Sequence, residues 1–364
     1  MATTMRRRTA LAALSLAACS APPPRLWQGF NLLEKFTHDP AEWQSIEPAF
    51  ARRNEPFREQ DFDLIAALGF NYVRLPLSYR CWADPARPLA FAEAPLREIE
   101  QAVTWARARR LHITLNFHRA PGYCINQANS PEPWDLWTDP AAQELFVKHW
   151  LHFTERFRHL PGETLSFHLV NEPSRCTVAQ YQALMERTAG AIHAIDPQRT
   201  LLFDGMFGEA ILPVEALTLV PRAVHVTRGY APFRLTHHQA KWGGEVLDTP
   251  PAWPMSYNGT TWNDEVYRTW CIEPYAKLSR AGHRVLVGEF GCYNKTPHAV
   301  MLAWMKRRLR EWQAEGWGWA LWNLRGPFGI FESNRADVRY ERYQGLALDR
   351  ILLELLQSFS ARSR

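Results

Sequence analysis

Eight short apolar runs, each followed by a longer stretch of helical periodicity, leave this chain few ways to fold. From Trp27 onward the runs are "LWQGFNL", "NYVRLP", "HITLNF", "LSFHLV", "TLLFD", "AVHVTR", "RVLVGE" and "WGWALW". Helix-like segments lie between them, among them Ala92–Arg110, Gln143–Phe157, Val178–Ile195, Val266–Ala281 and Ala299–Glu315. Strands joined by crossovers of this length pair in parallel, so the alternation predicts an α/β parallel sheet. The count of eight, with no G-x-G-x-x-G turn after the first run, selects a (β/α)8 TIM barrel over a dinucleotide-binding fold. The fifth crossover, "GEAILPVEALTLVP", is the least regular because it carries two prolines. No Ser/Pro/Gly-rich linker interrupts the pattern, which makes residues 27–358 a single domain.

The N-terminus follows other rules. Arg6, Arg7 and Arg8 precede "TALAALSLAA", an apolar stretch too short to span a bilayer. "LAAC" before Ser20 resembles the bacterial lipobox, with Cys19 as the acylated residue; ordinary secretory cleavage is the alternative. Residues 1–19 therefore read as a signal peptide and 20–26 as a tether. That places the expected protein in the periplasm, on the outer membrane or cell surface, or secreted, with a lipid anchor as its one membrane contact. Setting Cys19 aside, Cys81, Cys124, Cys176, Cys271 and Cys292 remain, so a monomer keeps at least one free thiol. In an oxidising compartment, one or two disulfides between surface loops are expected. The net charge of +5 is scattered, with no basic block interleaved with aromatics, which argues against nucleic acid as a partner.

In a barrel of this kind, the residues at strand C-termini share one face. Arg74 ends the second run, and His118 follows the third. Asn171 and Glu172 follow the fourth, Arg228 and Tyr230 the sixth, Glu289 the seventh, and Trp322 and Asn323 the eighth. One glutamate at a strand end is ordinarily a cap or a salt-bridge partner. Two across one mouth are the machinery of glycoside hydrolysis: one protonated to donate to the leaving oxygen, the other ionised to attack the anomeric carbon. Glu289 in "VLVGEFGCYN" has glycines near it on both sides, which reads as room for substrate, and the charge of Arg74 favours its ionised form. Glu172 reads as the acid, its proton held by the like charge of Glu289 and by partial desolvation. Asn171 beside it is a neutral donor for a sugar hydroxyl. The chemistry requires no metal or cofactor, and no His/Cys/carboxylate spacing suggests one.

Sixteen tryptophans suit either a tryptophan-rich core or flat platforms for sugar rings. Trp82, Trp134, Trp137, Trp242, Trp253 and Trp262 lie in loops after strands and are candidate platforms; His237 and His238 are candidates for a hydroxyl.

"LVNEPS" and "VGEFG" resemble the acid/base and nucleophile segments of glycoside hydrolase family 5, the cellulase family. "NYVRLPLSY" resembles the segment whose arginine, here Arg74, supports the nucleophile. "LNFHRAPGYC" resembles the segment with a sugar-binding histidine, here His118. "WALWNLRGPFGIFES" resembles the segment whose tryptophan, here Trp322, is a platform for the non-reducing-side sugar. The resemblance covers residues 27–357. It implies a (β/α)8 fold and retaining double displacement on a β-glucan or related polysaccharide, most directly as an endo-β-1,4-glucanase. β-Mannanase, β-1,3-glucan-active and transglycosylase activities are alternatives within the family, and a non-catalytic glycan-binding surface lipoprotein is the alternative outside it. One segment departs. Where the family has His-x-Tyr before a proline, this chain reads "HVTRGYAPFRLTHHQAKW". Aligning "YAPF" makes Tyr230 the tyrosine at the nucleophile and puts Arg228 at the histidine position; the other register recovers His225 but puts Thr227 at the tyrosine. The first fits the downstream "THHQAKW" and is preferred.

Overall fold

A computed structural model of the chain describes residues 26–38, 54–126, 130–208, 211–243, 249–257 and 259–360. The stretch read as a signal peptide, Cys19 included, and nearly all of the expected tether lie outside the described residues.

Along the third strand alternation runs polar-in, whereas Leu202, Val224, Val226, Leu286 and Ala320 of later strands gather with Tyr72 in an apolar cluster. In β3 (His112–Ala120) every residue is buried, although polar and apolar side chains alternate along it. The even-numbered polar set faces other strands: Thr114 Oγ1 accepts from Tyr72 Oη at 2.8 Å and meets Ser166 Oγ at 2.7 Å. The odd-numbered apolar set faces a helix, with Phe117 stacked on Trp150 at 3.9 Å. A pattern that would suit a half-wet sheet elsewhere here divides a barrel interior from its helical jacket.

Eight strands close the ring in sequence order. They are β1 (Gln28–Asn31), β2 (Tyr72–Ser78), β3, β4 (Leu165–His168), β5 (Thr200–Asp204), β6 (Ala223–Gly229), β7 (Arg284–Phe290) and β8 (Gly318–Leu321). Each pairs in parallel with the next, and β8 pairs with β1. Every sequence-expected strand is present, differing from its expected length by three residues at most. Trp27, stacked on His112 at 3.8 Å and on Tyr72 at 5.3 Å, covers the N-terminal end of the interior.

Among the described residues, the helices of eight residues or more are α1 (Glu59–Ala67), α2 (Glu93–Ala108), α3 (Pro140–Phe157), α4 (Val178–Ile195), α5 (Glu273–Arg280), α6 (His298–Ala314) and α7 (Arg350–Gln357). Their starts are coded locally. Asp139 caps α3, with Pro140 following where its missing N–H costs nothing. Thr177 and Gln180 form a reciprocal capping box on α4.

Three expectations are corrected. The single helix expected over Val266–Ala281 is broken by a π-type turn at Arg268–Ile272, just before Pro274 at the start of α5, because proline removes a donor and crowds the preceding turn. The fifth crossover, among its described residues, holds a 3₁₀ turn, Glu215–Leu219, between Pro213 and Pro221 in place of a helix. Among the described residues the expected disulfides are not formed: Cys81, Cys124, Cys176, Cys271 and Cys292 are not bonded to one another. The Cys81 thiol instead faces the carbonyls of Lys35 and Thr37 at 3.4 and 3.6 Å.

Candidate active site

The barrel interior becomes charged at the C-terminal end of the strands. Arg74, one pleat above Tyr72 on β2, is completely buried and spends all five N–H groups on protein acceptors. Nη1 donates to Asn31 Oδ1 at 2.9 Å and to Glu289 Oε1 at 2.6 Å. Nη2 donates to Asn116 and Asn171 Oδ1 at 2.8 and 2.7 Å, and Nε to His168 Nδ1 at 3.2 Å. Four of these partners are neutral, so the guanidinium charge is directed at Glu289 alone. Arg74 holds a carboxylate from beneath and has no donor left for a sugar.

Arg228 makes a second such centre. Its guanidinium meets Asp204, at the end of β5, fork to fork: Nη1 to Oδ1 at 2.7 Å and Nη2 to Oδ2 at 2.5 Å. Nε donates to Glu172 Oε1 at 3.0 Å, Nη2 to Asn171 Oδ1 at 2.8 Å, and Nη2 also lies 3.5 Å from Glu289 Oε1. One guanidinium therefore touches both glutamates. Asp204 Oδ2 also accepts the backbone N–H of Glu172 at 2.7 Å, holding a residue whose φ of 45° is uncommon for glutamate.

A bulge makes room for this arrangement. The β6–β7 register shifts between Val287 and Glu289, which brings Glu289 opposite Arg228. The residue in the bulge is Gly288, where a Cβ would come within 2.6 Å of Val226 and 3.1 Å of the Arg228 guanidinium. At Gly291, φ is +144° and a Cβ would meet Phe328 at 3.2 Å. The space beside Glu289 read from these glycines as room for substrate is thus filled by the protein's own arginine and phenylalanine.

The charges divide the two carboxylates. Burial raises Glu172 first, and Glu289 adds to it; Arg228 opposes both, and the carboxyl is pushed up to about 7. Burial would raise Asp204 as well, but Arg228 above all, with His168 and Arg74, holds it well below the usual carboxylate range. Burial lowers His168 to about 4 and takes His118 well below its ordinary value, so both rings are neutral. With Glu172 protonated, the two arginines balance Asp204 and Glu289; ionising Glu172 leaves one net negative charge in a buried cluster. If Glu172 is the acid, kcat/KM should fall about tenfold per pH unit above roughly pH 7. A profile measured well below KM that stays flat to pH 9 would contradict this role.

Around the pair lies a cavity of about 480 Å³ lined by Glu172, Glu289, Arg228, Tyr230, His118 and Trp322, among others. Tyr230 donates to Glu289 Oε2 at 3.3 Å; burial and both glutamates raise its phenol, so it keeps its proton. His225 is buried near the other end of β6, 6.0 Å from the His283 ring, which agrees with the alignment through "YAPF". Trp322 faces His118 at 5.6 Å and Phe36 at 5.5 Å. Asn171 Nδ2 and His118 Nδ1 are buried without a protein partner.

Of the candidate platforms, Trp242 and Trp262 line the cavity. Trp82 and Trp137 are buried in the core, and Trp253 packs on the Arg308 guanidinium at 5.0 Å. Trp134 is half-buried and does not line the cavity. His237 lines it but is stacked on Phe233 at 3.7 Å, and burial pushes its ring to about 3; His238 is buried. Sequence reasoning overlooked Asp204, His168 and Asn116. The rule that found Glu172 would have found Asp204, since it ends the run "TLLFD" at the same height.

The family model for cellulase, glycosyl hydrolase family 5, matches residues 36–326. Endoglucanase C of Acetivibrio thermocellus is 24% identical over 313 residues, spanning 79% of this chain and 90% of that protein. A probable glucan 1,3-beta-glucosidase A of Emericella nidulans is 30% identical over 173 residues, spanning 44% of this chain and 42% of that protein. Among solved structures, one titled only as a glycoside hydrolase superposes with a TM-score of 0.82 at 35% identity, covering 92% of this chain and 100% of the other.

Proposed function

The chain belongs to glycosyl hydrolase family 5, the cellulase family, and from that premise we propose that it hydrolyses β-1,4-linked glucans internally by retaining double displacement. The observation that carries this reading is the single Arg228 guanidinium in contact with both Glu172 and Glu289, while Arg74 holds only Glu289. Two carboxyl groups beside one cavity, one supported as a carboxylate and the other holding its proton, are what acid-assisted nucleophilic displacement requires.

In the proposed cycle Glu289 attacks the anomeric carbon, and Glu172 transfers its proton to the departing glycosidic oxygen. As negative charge leaves Glu289 for the ester, Arg74 and Tyr230 keep their donors on its oxygens. Glu172, now ionised, draws the proton from the water that cleaves the ester. Asn171 Nδ2, buried without a protein partner, is placed to donate to a hydroxyl next to the reacting carbon, and Trp322 gives the non-reducing-side sugar a face to stack on.

Incubation with soluble β-1,4-, β-1,3- and mixed-linkage glucans and a β-mannan, with products sized and their anomers read by proton NMR, tests this. The expected result is oligosaccharides from internal β-1,4 cleavage, released first as the β-anomer. Release of the α-anomer would overturn retention, and mannan-only cleavage would overturn the glucan assignment. The likeness to the Emericella protein favours β-1,3 linkages as the second reading.

A further inference from the structure

The two glutamates divide the barrel mouth into unlike parts. Going round the ring, the ends of β8, β1, β2 and β3 lie on one side of the β4–β7 line, and those of β5 and β6 on the other. The first arc carries Trp322, Phe36 and His118. The cavity continues into the second, where Phe207 and Ile211 follow β5, and Phe233, Trp262 and Trp270 lie in the connection after β6.

None of these five side chains offers a hydrogen-bond acceptor, and only the two indoles offer a donor; the neutral polar groups lining the cavity from the same arc are Thr227, Tyr230, His237, Trp242 and Tyr257. Phe207, Phe233 and Trp270 are 37%, 41% and 38% exposed, and Leu212, next to Ile211, is 50% exposed. Phe207, Phe233 and Trp270 are three of the eight large apolar side chains exposed among the described residues, and all three line this one cavity. A pyranose here would give up water around several hydroxyls and find few acceptors in return. Nor is the surface a flat platform: the rings of Trp262 and Trp270 meet at 73° with centroids 5.7 Å apart, forming a corner. A hydrocarbon chain has no polar group to satisfy and gains from each methylene removed from water.

Resting on the reading of Glu172 as proton donor, we propose that the β5–β6 arc is an aglycone site for a hydrocarbon chain, and that the enzyme cleaves β-glucosides of long-chain alcohols. The bond broken joins the anomeric carbon to the alcohol oxygen. That oxygen leaves with the proton of Glu172, the carbon passes to the Glu289 carboxylate, and water then releases the sugar and returns the proton to Glu172.

Alkyl β-cellobiosides from methyl to octyl, each kept below its micelle concentration, are compared with cellotetraose. The expected kcat/KM rises along the series by up to about fourfold for each methylene the arc buries. Phe207→Ser and Trp270→Ser should flatten that rise, each variant being scaled to its own methyl substrate. A flat series in the wild-type enzyme, with cellotetraose still cleaved, overturns the chain site and leaves the glucanase reading standing. A rise that both variants preserve also overturns it, because the chain would then lie elsewhere. Failure to cleave any of these substrates overturns both readings.

Discussion

Glu289→Gln is expected to lower turnover on glucan by at least about four decades, the scale seen when a covalent nucleophile is removed. The amide keeps the volume of the side chain, and its oxygen can still accept from Arg74 Nη1, so the fold should survive. What is lost is the lone pair with the charge to attack. Glu172→Gln is expected to cost about as much on glucan and far less on a dinitrophenyl β-cellobioside, whose leaving group needs no proton. Azide should then accelerate that variant and yield a β-glycosyl azide, since a small anion can take the place of the activated water. Glu289→Gln should show neither recovery. If instead Glu289→Gln kept activity on the activated substrate and responded to azide while Glu172→Gln did neither, the roles would be assigned the wrong way round.

The second large effect is expected at Asp204. Removing one member of a buried, hydrogen-bonded charge pair leaves the other uncompensated, at a cost of about 3–5 kcal/mol. In Asp204→Asn the stranded group is Arg228, whose remaining carboxylate partners are Glu172 and Glu289. Loss of a nearby negative charge and gain of a freed positive one both favour ionised Glu172. The alkaline limb of kcat/KM should therefore move to lower pH, and the maximal rate should fall by about a hundredfold as the acid is lost. Adding Arg228→Gln removes the stranded charge, so melting temperature should recover while the pH profile does not return to that of the wild type. An Asp204→Asn protein with unchanged melting temperature and unchanged profile would show that the pair does not govern Glu172.

This dependence explains why the departure at "HVTRGY" alters more than one residue. An arginine in a buried mouth needs a carboxylate of its own, and Asp204 supplies it in bidentate geometry. Together they give Glu172 a cationic hydrogen-bond donor without leaving the cluster a net positive charge.

Barrel, strand ends and the eight singled-out site residues were legible because burial periodicity and strand termini are local properties. Asn171, Glu172, Tyr230 and Trp322 lie just past a strand, and His118, Arg228 and Glu289 lie within the last three residues of one, positions that a closed parallel barrel turns to one face. Arg74, expected to end its strand, is instead the third of the seven residues of β2 and reaches the same level by pairing with Asn31, the last residue of β1. Asp204 occupied the same kind of position and was passed over, because an aspartate ending a strand is locally indistinguishable from a cap. Its significance lies in Arg228, which belongs to the next strand.

The sequence by itself determined the architecture and the height of each reactive group, since period-two burial and crossover length depend on neighbours along the chain. Only the tertiary structure decided what those groups do to one another. The bulge at Gly288 aligned Glu289 with Arg228, the interior brought Arg74 beneath one glutamate and not the other, and the glycines proved to accommodate protein rather than substrate. Charge coupling depends on distance through space across the barrel axis, between strands far apart in the chain, and no local pattern carries that distance.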